Sequence, residues 1–257
     1  MPVDNTIYDR LSDAWWDEDA LPAVLRTGVN PPRFAYIERV LTEELALDLA
    51  GLKMLDVGCG GGLLAEEFAE RGARVTGVDP STPSLQAARA HAAERGLDIA
   101  YHEGVGEALP FPDASFDAVY CCDVLEHVDE VGRTVREIAR VLRPGGVFLY
   151  DTINRTFRSW LLLIKLGQEW RHTRWAEPDT HDWRHFVKPA ELEHELKRAG
   201  LEPRDRVGIA PAGPLAAVRA MRARAKGALT YGEMGRRLQL RQSRDQSGIY
   251  AGYALKR

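Results

Sequence analysis

Met54-Leu55-Asp56-Val57-Gly58-Cys59-Gly60-Gly61-Gly62 ends an apolar run and opens a helical pattern. A second apolar run, Arg74-Val75-Thr76-Gly77-Val78, leads to Asp79, about 20 residues beyond Gly58. Strand, glycine turn, helix, strand and acidic residue, in that order, describe a nucleotide-type cofactor site. Gly58 and Gly60 can take a positive φ and let backbone approach a ligand closely. The helix that follows turns its free N–H groups and positive dipole end towards that ligand. Asp79 can accept two hydrogen bonds from the hydroxyls of a ribose.

A dinucleotide fingerprint would place its third glycine at position 63, which is Leu63. The third glycine is Gly62, so the spacing is Gly-x-Gly-x-Gly and a nicotinamide enzyme is disfavoured. The loop resembles the S-adenosylmethionine loop of the class I methyltransferases.

From Leu52 onward the pattern alternates strand and helix. Strands are expected at 53–57, 74–78, 98–102, 117–121 and 146–152, and helices at 62–71, 81–95, 130–142 and 189–199. Ser81 is the N-cap of the second helix, and Arg143-Pro144-Gly145-Gly146 reads as a turn. Such alternation implies an α/β fold with a mostly parallel sheet covered on both faces. Residues 203–210 and 248–256 read as a closing strand pair. Residues 1–50, helical from about residue 5, read as an N-terminal helical cover before the main domain at 51–257, with insertions at about 154–187 and 211–246. In the cover, Asn30-Pro31-Pro32-Arg33 starts a helix, because prolines suit a first turn. Trp15 and Trp16 either pack that region on the core or close over the cofactor cleft.

Ligands in such sheets sit beyond the carboxyl ends of the strands, where the remaining motifs fall. Gly104-Val105-Gly106-Glu107 follows the third strand and is either an adenine wall or an ordinary turn. Cys121-Cys122-Asp123-Val124-Leu125-Glu126-His127 follows the fourth. Asp123, Glu126 and His127 would share a helical face, as ligands for a divalent cation or as a polar cap. Arg33, if buried, needs an anionic partner such as a ligand carboxylate. The apolar stretch Trp160-Leu161-Leu162-Leu163-Ile164 is a core-packed helix or a lid touching a greasy substrate or bilayer. The arginine-rich run from Arg219 to Arg244 is a solvated helix face, or a surface for anionic lipid. His91, His102 and His194 fall on expected surfaces and take no role.

The 257 residues suit one large domain with insertions, and a net charge of −4 argues against a dedicated nucleic-acid binder. The three cysteines have neither disulfide-framework nor zinc spacing, which fits a reducing cytoplasm. The beginning of the chain lacks the character of a signal peptide, and no apolar run approaches the ~18 residues of a membrane span. Both a monomer and a homodimer remain open.

Several stretches are more specific than the glycine loop. Trp15-Trp16-Asp17, Asn30-Pro31-Pro32-Arg33, Leu125-Glu126-His127-Val128, Thr152-Ile153-Asn154-Arg155 and Thr180-His181-Asp182-Trp183 resemble the ubiquinone-biosynthesis O-methyltransferases. The resemblance runs from about residue 5 to 208. It implies a Rossmann-like class I sheet with N-terminal helices and a helical insertion after the fifth strand. It implies S-adenosylmethionine as cofactor, with Arg33 meeting its methionine carboxylate, Asp79 its ribose, and further contacts at Gly58 and Cys122. With the loops above, the cofactor-binding candidates are Arg33, Asp56, Gly58, Gly60, Asp79, Pro80, Val105, Gly106, Glu107 and Cys122. The resemblance also implies a magnesium-type site at Asp123, Glu126 and His127, where the family usually has Glu for the first acid. The segment between Gly208 and Gly248 is longer than the family's usual ending.

The expected reaction is methyl transfer to the oxygen of a hydrophobic phenol, catechol or hydroxyquinol. A free phenol, with a pKa near ~10, is mostly neutral at pH 7 and needs help to lose its proton. A cation would lower that pKa; failing one, His127 or His181 would act as general base. Contact with an anionic membrane surface, at the inner face of the membrane, is a further expectation. The rivals are a nitrogen or carbon methyltransferase of the same fold and a non-catalytic binding module.

Overall fold

The computed structural model describes Asp9, residues 14–178 and residues 180–257. The helical expectation for residues 5–8 and 10–13 lies outside them. The strands are β1 (Lys53–Val57), β2 (Arg74–Asp79), β3 (Ala100–Glu103), β4 (Phe116–Cys121), β5 (Leu142–Ile153), β6 (Leu201–Pro211), β7 (Leu240–Ser243) and β8 (Ile249–Lys256). They form one sheet in the order β3-β2-β1-β4-β5-β8-β6-β7. The first five run parallel; β8, β6 and β7 pair antiparallel. The connections change direction between β1 and β4, and a crevice opens there beyond the strand ends.

Alternation along the central strands sorts side chains into two cores. Met54, Ala118 and Tyr120 join one apolar cluster, while Leu55, Val57, Val119 and Cys121 join the other. A strand apolar on both faces must be covered on both. One face is covered by α1 (residues 22–44), α2 (Leu63–Ala69) and α3 (Thr82–Glu94). On the other lie α4 (Val131–Val141) and, beyond the insertion helix α5 (residues 157–169), α6 (Pro189–Arg198). The second insertion supplies α7 (Pro214–Ala225), α8 (Tyr231–Leu238) and the edge strand β7, which sequence reading left unassigned.

Two local expectations are corrected, at 143–146 and at β3. An α-helical stretch, Asn30–Arg39, does begin at Asn30 with the prolines in its first turn, and helical backbone already leads into it from Pro22. A widened turn at Leu25–Val29 lets the Asn30 N–H reach the Leu25 carbonyl just ahead of two prolines that have no N–H to give. Arg143-Pro144-Gly145-Gly146 is not a separate turn but a bulge inside β5. Leu142 pairs with Phe116 and Val147 with Ala118, and Gly145 takes φ +78° to absorb the extra residues. β3 starts at Ala100, two residues later than the pattern suggests. Ser81 does cap α3, its hydroxyl accepting the Ser84 N–H at 3.3 Å.

The arginine-rich insertion is amphipathic. Ala217, Ala220, Met234 and Leu238 pack with Val24 of α1, while Arg219, Arg222 and Arg237 are exposed. Arg224 reaches Asp19 at 3.4 Å and lies 3.9 Å from the centre of the Tyr231 ring. Arg236 pairs with Glu18. The acids missing from the local sequence therefore arrive from residues 18 and 19.

Candidate cofactor cleft and active site

The crevice at the ends of β1, β2 and β4 is a cleft of about 460 Å³. Asp56, Gly58 and Gly60 line it from the first strand and its loop, and Asp79 and Pro80 from the second. Val105, Gly106 and Glu107 line it from the loop after β3, Cys122 from the end of β4, and Arg33 from α1. All ten cofactor-binding candidates thus border one space.

The glycine loop is shaped by two constraints. Gly58, Gly60 and Gly62 have φ of +75°, +49° and +82°, a region that side chains disfavour. Trp15 also packs directly on the loop: a methyl group at Gly60 would lie 2.4 Å from its ring. Trp15 is buried and lines the cleft, with its indole N–H on Ser84 Oγ at 2.9 Å. Trp16 donates to the Gly61 carbonyl at 3.1 Å and stacks on His91, ring centres 3.5 Å apart. His91, expected on an open surface, is half-buried and bonded to Glu66 at 2.8 Å. The tryptophan pair closes over the loop.

Asp79 braces this loop. One carboxylate oxygen accepts the Gly60 N–H at 2.9 Å, the other the Ser81 N–H at 2.8 Å. Each oxygen keeps a second lone pair, enough for two ribose hydroxyls. Burial raises its pKa; the two backbone bonds oppose that rise. Asp56 is buried beneath, its carboxyl pushed up to about 8, chiefly by burial and also by Asp79.

Arg33 has its anionic partners within the chain. Its Nε and Nη2 bond the two oxygens of Asp151, Nη2 also bonds Asp123, and Nη1 donates to Asn30 Oδ1 at 2.7 Å. Asp151 Oδ1 further accepts the Asp123 N–H at 3.0 Å. Asp151 was missed by sequence reading. Its signal was an acid at the end of a buried apolar strand in a chain with a buried arginine to pair.

The cation set is corrected by the same geometry. Asp123 has φ +54° and no helix forms over 122–129, where only 125–127 make a turn, so 123, 126 and 127 share no helical face. The Asp123 carboxylate is turned to Arg33. Glu126 is buried away from the cleft lining, accepting the Thr152 hydroxyl at 2.6 Å, and burial, then Asp123, raises its pKa. Its second oxygen has no partner among the described residues. Among those residues, no group of three His, Cys, Asp or Glu side chains is placed to hold a metal ion. The donors present do not fit a magnesium-type site in this arrangement.

The two histidines do come together. His127 lines the cleft, and the His181 ring lies beside it, centres 5.2 Å apart. Burial holds His127 down to about 3, helped by His181 and His185. Burial likewise holds His181 down to about 4. Both rings are neutral at pH 7, and the burial that keeps them so also opposes their taking on a proton. Cys121 and Cys122 are buried with raised thiol pKa values, chiefly from burial, so neither is a nucleophile at neutral pH.

The sheet order, the glycine loop and the brace at Asp79 define a class I S-adenosylmethionine-dependent methyltransferase. A methyltransferase-domain family model matches residues 55–150. Among solved structures, the fold is shared with magnesium protoporphyrin IX methyltransferase from Synechocystis with bound SAH. There the TM-score is 0.64 at 18% identity, covering 99% of this chain and 96% of that one. It is shared too with a possible histamine N-methyltransferase from Thermotoga maritima, with TM-score 0.62, 19% identity, and 98% and 99% covered. The ubiquinone biosynthesis O-methyltransferase of Methylocella silvestris is 39% identical over 219 residues, 81% of this chain and 84% of that protein. That of Caulobacter vibrioides is 40% identical over 198 residues, 74% and 77% of the two chains. This chain belongs to the ubiquinone biosynthesis O-methyltransferase family.

Proposed function

We propose that this enzyme methylates a phenolic oxygen of a hydrophobic hydroxyphenol or hydroxyquinol, a precursor of ubiquinone or a related natural product. The observation that carries the reading is the cleft itself, which Asp79 and the glycine loop line together with the imidazole of His127. A cofactor site and a ring that can hydrogen-bond an acceptor hydroxyl therefore share one space.

When bound, S-adenosylmethionine supplies a methyl group already activated on sulfur. The open glycine loop and the spare lone pairs of Asp79 fit its ribose. Gly58 and Gly60 present backbone, Asp56 and Pro80 support the same end, and Val105, Gly106 and Glu107 wall the adenine. Arg33 and Cys122 face the methionine end, where Arg33 already holds one cleft-lining carboxylate, Asp123. His127, which lines the cleft, takes the phenol proton as the new bond forms, so positive charge never builds on oxygen.

Magnesium has no step here, because Asp123 would have to leave Arg33 to join Glu126 and His127. Chelation followed by magnesium addition tests that omission: a rate that falls and returns would show that Asp123 changes partner during turnover.

Exposed Phe157, Leu161 and Trp170, with Arg158 and Lys165 close in sequence, suit a peripheral contact with an anionic membrane that holds a greasy acceptor. No helix among the described residues is long and apolar enough to cross a membrane. Three buried free cysteines agree with a reducing cytoplasm.

The acceptor is tested by mass spectrometry of products from a panel of phenols, hydroxyquinols and amines with labelled cofactor. Label on oxygen of the prenylated phenols is expected; label on amines alone overturns the reading.

A further inference from the structure

Glu18 and Asp19 stand between the tryptophan pair and the start of α1, and neither borders the cofactor cleft. The arginine-rich insertion claims both. The Glu18 carboxylate bonds Arg236 of α8 and, at 2.9 Å, Arg26 of α1. The Glu18 carbonyl accepts the Gly232 N–H at 3.0 Å. Gly232 and Arg236 lie one turn apart on α8, so the acid rests along the start of that helix, where the dipole favours negative charge. A methyl group at Gly232 would lie 2.1 Å from the Glu18 carboxylate, so a side chain there would push the acid away. Asp19 reaches Arg224 of α7 at 3.4 Å.

The insertion is a firm base for these contacts. α8 meets α1 where Gly235 faces Gly28, and a methyl group at Gly28 would lie 3.0 Å from the Gly235 backbone. Met234, in one apolar cluster with Val24, is fully buried. On the other side of Glu18, the chain bears on the glycine loop. Trp15 covers Gly60 and Gly61, where methyl groups would lie 2.4 Å and 2.2 Å from its side chain. Trp16 donates to the Gly61 carbonyl at 3.1 Å. Two or three residues of chain reach roughly 7–11 Å at most, so the place where Glu18 is held limits where the two indoles can sit.

We propose that Glu18 is a positioning residue: tied to α8, it holds Trp15 on the glycine loop and slows the departure of the cofactor, so that the second insertion anchors the cofactor's cover. The proposal rests on the reading of this cleft as the cofactor site and needs no particular acceptor. The two ion pairs of Glu18 are a third to a half exposed, so each contributes modestly and salt weakens it.

Calorimetric titration of the full chain with S-adenosylmethionine gives the affinity, and a chase of labelled cofactor with excess unlabelled cofactor gives the off-rate. Glu18→Gln should raise Kd about two- to fivefold, mainly through a faster off-rate. The KM for S-adenosylmethionine should rise with it, while kcat does not fall. Gly232→Ala should act in the same direction by displacing the carboxylate, at a position where alanine favours the helix. In a Trp15→Ala background Glu18→Gln should add no further loss, because the cover that it positions is gone. Unchanged affinity in both Glu18→Gln and Gly232→Ala overturns the proposal. So does a full loss that persists without Trp15, or a kcat that falls at unchanged KM, which would mark a merely structural role. If Glu18→Gln does not fold, Arg236→Gln, at an exposed side chain, carries the same expectation and the same refutation. Unchanged affinity in Asp79→Ala would instead refute the reading of the cleft as the cofactor site, and with it the purpose of the anchor.

Discussion

Arg33 and Asp151 form a buried ion pair in which two guanidinium nitrogens meet the two oxygens of one carboxylate. The pair joins α1 to the end of β5, and Asp123 adds a second carboxylate from the loop after β4. Burial raises the pKa of Asp151, and Arg33 opposes the rise. Asp151→Asn removes the two-pronged contact, while Asp123 still balances the guanidinium. It should cost about 1.5–3 kcal/mol, the value of a hydrogen bond to a charged group, read from the urea midpoint. An unchanged midpoint would mean that the pair does not hold α1 to the sheet.

Asp79→Ala should weaken S-adenosylmethionine binding roughly 10- to 100-fold, the value of one or two hydrogen bonds to a charged group. Calorimetric titration measures it. Unchanged affinity would reject the ribose role of Asp79.

Gly60→Ala places a methyl group 2.4 Å from the Trp15 ring at a φ of +49°. Cofactor binding should fall by about tenfold or more, since about 1.4 kcal/mol suffices. Trp15→Ala should recover part of that loss by removing the obstacle. The double variant should therefore depart from additivity by about 0.5 kcal/mol or more. Strict additivity would disprove the contact.

Asp56 gives the stability a pH dependence. Its carboxyl is pushed up to about 8 in the folded chain, chiefly by burial, against about 4 when unfolded. The folded chain holds the proton longer, so its stabilising contribution is full below about pH 4 and declines as pH rises towards about 8. Asp56→Asn cannot ionise and should gain melting temperature relative to wild type between pH 5 and pH 9. A difference that stays flat with pH would count against a buried ionising Asp56.

Phe157 is 72% exposed and Trp170 53% exposed, an unusual display for side chains of their size. Vesicles containing anionic lipid should carry the protein upward in a density gradient at low salt, and less of it at high salt. Phe157→Ser combined with Trp170→Ser should abolish flotation. Absence of flotation in the wild type at low salt would remove the membrane contact.

The strand–glycine–helix–strand run was legible because every part of it lies within about 25 residues and answers to local rules of periodicity and positive φ. The cleft followed, since strand ends in a parallel sheet converge. The Arg33 partner was not legible: Asp151 lies 118 residues away. From the sequence, a buried Arg33 called only for some anionic partner, such as a ligand carboxylate, and nothing nearby named which. The acid and imidazole cluster after β4 misled in the opposite way. Its spacing suited a helix, and the left-handed backbone of Asp123 broke that helix before the three side chains could converge.

Residue order therefore carried the layers, the glycine loop and the acid at Asp79, since a β-strand or a helix start is specified by a few consecutive side chains. Tertiary packing decided which charges neutralise one another and which side chains meet in the cleft. Those outcomes depend on hydrogen-bond distances between segments that only the closed sheet and its insertions bring together, and no local periodicity encodes them.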